Sequence, residues 1–156
     1  MAKFKRDVLS LERTDGDTEL KQILDRIGPD NVAEIRVLFL HWSQITDAGL
    51  EDLKGRHFPK LRHISLDDTE ITNDGLAHLA EFTLLEVISL CRVKTIDDEG
   101  IAHLKPLTRL LRAHLLLTRC GDASLEYLSG ATHMQEVYAG AQTTNAGLDH
   151  LSPTIT

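Results

Sequence analysis

Apolar residues recur along the chain in units of about 25 residues, and each unit combines two spacings. Apolar residues first alternate with other residues, as in Ile64 and Leu66, which predicts a short strand with one buried face. They then recur three positions apart, as in Leu76 and Leu79, which predicts a short helix with one buried side. Each unit is therefore predicted to fold as a strand, a turn and a helix.

A short motif separates the strand from the helix and occurs five times. Its copies are residues 45–50 (ITDAGL), 71–76 (ITNDGL), 96–101 (IDDEGI), 120–125 (CGDASL) and 143–148 (TTNAGL). Their last residues are 26, 25, 24 and 23 positions apart, and this near-constant spacing indicates an array of internal repeats. The side-chain oxygens of Thr46, Thr72 and Asp97 are predicted to cap the helices that follow.

A signature of leucines and isoleucines precedes each motif, and its first two copies are Ile35, Leu38, Leu40 and Ser43, then Leu61, Ile64, Leu66 and Thr69. Together with the motif, it resembles the leucine-rich repeat, in a form similar to that of bacterial repeat proteins and related to the cysteine-containing repeats of F-box adaptors. Ser43, Thr69 and Thr118 stand where that subfamily places its cysteine. No F-box precedes the repeats, so the resemblance does not indicate a ubiquitin ligase.

The resemblance to the leucine-rich repeat implies an α/β fold. The implied architecture is a solenoid, a right-handed superhelix with a parallel β-sheet on the concave side and helices on the convex side. Such units stack because a single unit cannot bury both of its apolar faces. The predicted organisation is an N-terminal cap at residues 1–34 and five repeats at about residues 35–60, 61–84, 85–109, 110–133 and 134–156.

The N-terminal cap is predicted to be a degenerate repeat followed by a helix. Leu9 and Leu11 match the strand signature, and Asp17 or Thr18 is expected to cap a helix that ends at Gly28. This segment is expected to cover the open end of the first full repeat with a more polar surface.

Composition and charge narrow the classes of function. The 156 residues suffice for a substantial core, and the net charge of −7 opposes binding to nucleic acid or to an anionic membrane surface. Cys91 and Cys120 cannot form a disulfide framework, which favours a reducing compartment. The sequence shows no secretory signal and no apolar run near the roughly 20 residues that span a bilayer. We therefore predict a cytoplasmic protein that binds neither nucleic acid nor a membrane.

The residues between the core leucines are predicted to project from the concave sheet, where neighbouring strands place equivalent side chains about 4.8 Å apart. The candidate partner-binding residues on this face are Val37, Phe39, His41, Trp42, His63, Asp67, Asp68, Arg92, Arg112, His114, Leu116 and Tyr138. Phe39 and Trp42 are expected to form one exposed apolar end, and Leu116 with Tyr138 another. Exposed aromatic residues among polar ones are typical of protein-binding faces, so this face is predicted to bind a protein partner.

The same face does not favour catalysis or a metal site. His41, Asp67 and Cys91 share one position in successive repeats, but Asp67 separates the other two by about 9.6 Å, beyond hydrogen-bond reach. His41, His63 and Asp67 match the chemistry of zinc, yet an open sheet supplies no closed second shell for the metal. We therefore predict no catalytic residue, no metal and no cofactor.

Two functions remain. The favoured one is a noncatalytic scaffold, not an enzyme, that binds a protein partner of unknown identity on its concave face. The alternative is a structural or assembly protein. Because a sixth strand would be due at about position 157, apolar residues around Leu148, Leu151 and Ile155 are expected to be exposed. They would join two copies as a homodimer or dock on a larger body.

Overall fold

The computed structural model describes residues 2–5, 7–11 and 16–151 of the chain. Within these ranges, seven strands form one sheet whose spatial order follows the order of the strands in the sequence. The strands are β1 (Ala2–Lys5), β2 (Val8–Leu11), β3 (Val37–Phe39), β4 (His63–Ser65), β5 (Val87–Ser89), β6 (Arg112–His114) and β7 (Glu136–Tyr138). β1 pairs with β2 in the antiparallel direction, and all later neighbours are parallel.

Helices alternate with the strands from β2 onwards. They are α1 (Asp17–Val32), α2 (Asp47–Lys54), α3 (Asn73–Leu76), α4 (Asp98–Ala102), α5 (Asp122–Leu128) and α6 (Asn145–Leu148), and a 3-10 turn at Ala77–Leu79 extends α3. Each helix packs against the next along the chain, from α1 against α2 to α5 against α6. The sheet and the row of helices form two layers, which confirms the predicted α/β architecture of stacked strand–helix units.

The core lies between these layers and occupies the aliphatic positions of the repeat. Leu38, Ile64, Ile88 and Ala113 are paired across β3 to β6, and all four are fully buried. On the helical side, the last residue of the motif is equally buried in four repeats, at Leu50, Leu76, Ile101 and Leu125. The apolar positions of the strands and those of the helices therefore face each other across one hydrophobic core.

Buried hydroxyl groups close the turns after three strands. Ser43, Thr69 and Thr118 are buried, and each donates a hydrogen bond to the backbone carbonyl three residues earlier. A hydrogen bond of this kind contributes about 0.5–1.5 kcal/mol, which favours a hydroxyl at this position. In the third repeat the buried Val93 takes its place, and the additional residue Thr95 donates to a carbonyl of the neighbouring repeat.

A polar side chain at the start of each of the helices α1 to α5 forms hydrogen bonds with the next repeat. Asp47 in α2 accepts hydrogen bonds from the backbone N–H of Thr72 at 2.8 Å and from its hydroxyl at 2.6 Å. Equivalent bonds to the following repeat are made by Asp17, Asn73, Asp98 and Asp122. We call Asp47 and these four residues the clamp residues. The repeat keeps a polar residue just after the helix cap because the side chain of that residue joins adjacent repeats.

The glycine of the motif leaves room for the clamp residue of the preceding repeat. A Cβ atom added at Gly75 would lie 2.7 Å from Cγ of Asp47 and closer still to a carboxylate oxygen. Ser124 takes the place of this glycine in the fourth repeat, and its hydroxyl donates a hydrogen bond to the clamp residue Asp98. In the remaining repeats the clamp residue faces Gly49, Gly100 and Gly147.

The capping predictions are only partly confirmed. Thr46 accepts a hydrogen bond from the backbone N–H of Ala48, and Asp97 accepts one from that of Glu99. The prediction for Thr72 is wrong: its hydroxyl donates to the clamp residue of the preceding repeat, and its side chain makes no cap bond to α3.

The N-terminal helix also differs from the prediction at its first residue. The helix begins at Asp17, so its cap position falls on Gly16, which has no side chain to accept a hydrogen bond. Both oxygens of Asp17 are bonded to Thr46. Gly28 has a left-handed φ of 76° and interrupts α1 as predicted, although a second helical stretch continues to Val32. No helix in the described ranges is long and apolar enough to span a membrane.

Candidate functional site

The parallel register brings the candidate residues onto the sheet face that points away from the helices, which we call the concave face. One row of paired residues consists of Val37, His63, Val87, Arg112 and Glu136. The next row consists of Phe39, Ser65, Ser89, His114 and Tyr138. Both rows flank the central residue of each strand, which is buried in β3 to β6 and half-buried in β7, so their side chains belong to the opposite face from the core.

A third set of candidate residues lies in the turns that follow the strands. The first turn position holds His41, Asp67, Cys91 and Leu116, and the second holds Trp42, Asp68, Arg92 and Leu117. At the second position the backbone is left-handed in all four repeats, with φ angles of 57°, 53°, 63° and 61°. Residues other than glycine, asparagine and aspartate adopt this conformation at a cost of about 1–2 kcal/mol. Because three of the four are Trp, Arg and Leu, nothing in the sequence indicates the conformation.

Three of these left-handed residues form a hydrogen-bonded network. The indole N–H of Trp42 donates to Asp68 at 2.8 Å, and Nε of Arg92 donates to both oxygens of Asp68, at 2.9 and 2.8 Å. Nη2 of Arg92 also pairs with Asp68. The hydrogen bonds from Arg92 lower the pKa of Asp68, and Asp68 raises the pKa of Arg92. This network holds an exposed indole ring in one orientation. The network was not predicted from the sequence.

Beside this network, the concave face contains a hollow of about 320 Å³, which we call the central hollow. Its lining includes Phe39, Trp42 and His63. The ring of Phe39 packs edge to face with those of His41 and His63, at centroid distances of 5.6 and 5.1 Å. The expectation that Phe39 is exposed is wrong: the two histidine rings leave it half-buried.

Asp67 belongs to the lining of the central hollow and is held by neutral donors. The hydroxyl of Ser89 and the backbone N–H of Cys91 donate to one of its oxygens, at 2.6 and 2.7 Å. The hydroxyl of Ser65 is 3.4 Å from the other oxygen. Cys91 thus contacts Asp67 through its backbone N–H. Among the described residues, no group of three metal-binding side chains is placed to hold a metal ion.

The C-terminal side of the concave face carries charged and apolar groups. Nε of Arg112 is 3.4 Å from a carboxylate oxygen of Glu136, and the rings of His114 and Tyr138 pack at 4.8 Å. Burial lowers the pKa of His63, and the nearby His114 and Arg112 lower it further against the opposing effect of Asp67. The imidazole of His63 is therefore neutral at pH 7.

Comparisons with known proteins identify the fold. No protein-family model matches the sequence, and no curated protein sequence matches it. Solved structures do match, among them the crystal structure of an internalin from Listeria monocytogenes, with a TM-score of 0.64 and 19% sequence identity. The match covers 81% of this chain and 35% of the internalin chain. The fold is that of a leucine-rich-repeat solenoid.

The leucine-rich-repeat assignment confirms the predicted fold class and concerns the fold alone. The chain spans about a third of the length of the matched internalin, at an identity too low to transfer any activity or partner. The relation of the motif to bacterial repeats and to the cysteine-containing subfamily stays a prediction. The candidate residues meet on one face of the solenoid, and their role in binding is a separate question.

Proposed function

We propose that this leucine-rich-repeat protein is a noncatalytic scaffold that binds a protein partner on its concave face. One observation carries the proposal. The large hydrophobic side chains that are exposed among the described residues are Trp42 (52%), Leu116 (46%), Leu117 (61%), Tyr138 (46%) and Leu148 (49%). All of them except Leu148 belong to the concave face or to the turns along its edge. They form two exposed apolar groups, Trp42 at one end and Leu116, Leu117 and Tyr138 at the other, and exposed apolar groups rimmed by polar residues mark interaction sites.

The chemistry of these residues supports a protein as the partner. Trp, Tyr and Arg are the residue types that contribute most to protein interfaces, and this face presents Trp42, Arg92, Arg112 and Tyr138. Trp42 and Arg92 are already held by Asp68, so binding freezes less side-chain motion than it does for free side chains. The leucine-rich-repeat fold is typically a noncatalytic interaction module, which fits the same proposal.

Affinity capture from an extract of the source cells tests this proposal. The test bait is a double variant that carries both Trp42→Ala and Tyr138→Ala, which truncate the two exposed aromatic side chains of the concave face. The matched control is Leu148→Ala, which truncates the exposed apolar residue outside that face. We expect the control to retain the captured proteins and the double variant to lose them, with both variants folded by circular dichroism. Equal capture by the double variant refutes the proposal.

Self-association through the C-terminal repeat is a second candidate function, and the burial pattern of α6 favours it. Leu148 is exposed, whereas its equivalents in the four preceding repeats are fully buried. Leu151 is half-buried, and Ile155 lies outside the described residues. Sedimentation at increasing concentration tests this candidate, which predicts a dimer that Leu148→Ala dissociates. A monomer at all concentrations excludes it.

A further inference from the structure

The central hollow has walls of aromatic rings and a carboxylate among its lining groups. Phe39 and Trp42 contribute the rings, and Asp67 contributes the carboxylate. Its volume of about 320 Å³ lies at the lower end of the range of about 300–1,000 Å³ typical of ligand pockets. A space of this size suits one side chain of a partner better than a larger ligand.

The carboxylate of Asp67 is held by neutral donors, and its charge adds to that of Asp68 in raising the pKa of Arg92 without an ion pair between Asp67 and Arg92. Its hydrogen bonds come from two serine hydroxyls and one backbone N–H, all neutral groups. None of the ion pairs formed among the described residues includes it. Carboxylates that are at least partly buried normally have a charged partner or full hydrogen bonding, and this one accepts only one weak hydrogen bond on its second oxygen.

Arg92 and His63 also line the hollow, and neither forms an ion pair with Asp67. Arg92 is the nearest permanent cation in the lining, and its guanidinium is engaged by Asp68 through Nε and Nη2. Burial, His114 and Arg112 lower the pKa of His63, so its imidazole is neutral at pH 7. With Arg92 and Asp68 forming a neutral pair, Asp67 is the carboxylate in the lining that has no ion-pair partner among the described residues.

We propose that the central hollow binds the side chain of a lysine or arginine residue of a protein partner. The carboxylate of Asp67 attracts the cationic head, and the rings of Phe39 and Trp42 attract both the cation and its aliphatic stem. The net charge of −7 favours a basic partner in the same sense. This inference rests on the proposed function, because it names the chemistry of the partner at the same face.

Short peptides test the inference with the intact chain. Trp42 is the only tryptophan and belongs to the lining of the hollow, so its indole emission and its indole N–H resonance report on occupancy. The probes are acetyl-Gly-Lys-Gly-amide, acetyl-Gly-Arg-Gly-amide and the acidic acetyl-Gly-Glu-Gly-amide, titrated near neutral pH. We expect the two basic peptides to shift both signals in a saturable way, and the acidic peptide to leave them unchanged at the same concentration.

Two variants that each remove one negative charge distinguish the effect of the charge in the hollow from the effect of the net charge of the protein. Asp67→Asn removes the charge but keeps an oxygen that accepts from Ser89 and Cys91, so the turn stays formed. Asp74→Asn removes an exposed charge on α3 and is the control. We expect Asp67→Asn to weaken binding of the basic peptides by about threefold to fivefold, the effect of one partly exposed charge pair, and Asp74→Asn to leave it unchanged.

The outcomes are distinct from those of the capture experiment. Stronger binding of the acidic peptide than of the basic ones, or equal affinity of wild type and Asp67→Asn, overturns the basic-residue inference. The peptide comparison on wild type tests the inference even if Asp67→Asn fails to fold. A partner that is lost with Trp42→Ala and Tyr138→Ala but retained by Asp67→Asn leaves the proposed function standing and refutes the role of the central hollow.

Discussion

Replacing Gly75 by alanine tests the clamp between repeats directly. The new Cβ would lie 2.7 Å from Cγ of Asp47, closer than non-bonded carbon atoms approach, so Asp47 must rotate away. That movement breaks the two hydrogen bonds that Asp47 accepts from Thr72, at 2.8 and 2.6 Å. Since hydrogen bonds to a charged group contribute about 1.5–3 kcal/mol each, the loss is about 3 kcal/mol at the lower limit. Alanine returns about 1 kcal/mol as the better helix former.

The expected net effect of Gly75→Ala is a loss of about 2 kcal/mol in the free energy of unfolding, measured by urea denaturation followed by circular dichroism. The matched control is Gly130→Ala, because a Cβ there has no atom within 4 Å. Because alanine lowers the conformational entropy of the unfolded chain, this variant should keep the free energy of unfolding or raise it by up to about 1 kcal/mol.

A double variant checks that the loss comes from the clamp. Asp47→Ala alone breaks the same two hydrogen bonds, and it also removes the carboxylate with which a Cβ at position 75 collides. Adding Gly75→Ala to Asp47→Ala should therefore cause no further loss of stability. A Gly75→Ala protein as stable as wild type, or additive losses in the double variant, would refute the explanation of the motif glycine.

Three further predictions concern single positions. Ser124→Gly should lower the free energy of unfolding by about 1–2 kcal/mol in urea denaturation, and Gly121→Thr in that background should recover part of it by restoring the common motif. His63 should titrate below its ordinary pKa of 6.5 in NMR spectra. Because the unfolded chain then binds more protons, stability should fall as the pH drops below about 6.5, and His63→Gln should flatten that decline. Leu117→Asn should raise the thermal midpoint, since asparagine removes about 1 kcal/mol of backbone strain from an exposed position.

The fold could be predicted from the sequence because the same pattern of apolar residues occurs in several successive units. A single pair such as Leu38 and Leu40 fits many structures, but the same pair at matched positions of successive units fits only a stack. β1 escaped prediction because residues 2–5 carry no repeat signature. Its antiparallel pairing with β2 covers one edge of the sheet, a role that depends on the finished sheet and not on local sequence.

The errors in the cap predictions involve bonds between repeats, which a rule based on local sequence does not consider. The rule for a helix N-terminus considers the side chain and its own helix, and it identifies Thr46 and Asp97 correctly. At Thr72 the hydroxyl donates to a carboxylate 25 residues earlier in the chain, in the neighbouring repeat, and makes no cap bond. Thr46 makes both bonds, because a hydroxyl can donate to a carboxylate and accept from a backbone N–H at the same time. The cap rule therefore misses the bond between repeats at both residues and the lost cap at Thr72.

The candidate site was predictable as a list of residues but not as a structure. The period of the strands places Phe39 and His63 on one face, whereas the left-handed turn that orients Trp42 depends on long-range packing. Among the described residues, the non-glycine residues with positive φ are Trp42, Asp68, Arg92 and Leu117, all at the same repeat position. A fold selected for stability alone would place glycine or asparagine there. Strain of about 1–2 kcal/mol at such residues persists only where the surrounding structure enforces it, and the repeated choice of large side chains there supports the proposal that this edge of the concave face meets a partner.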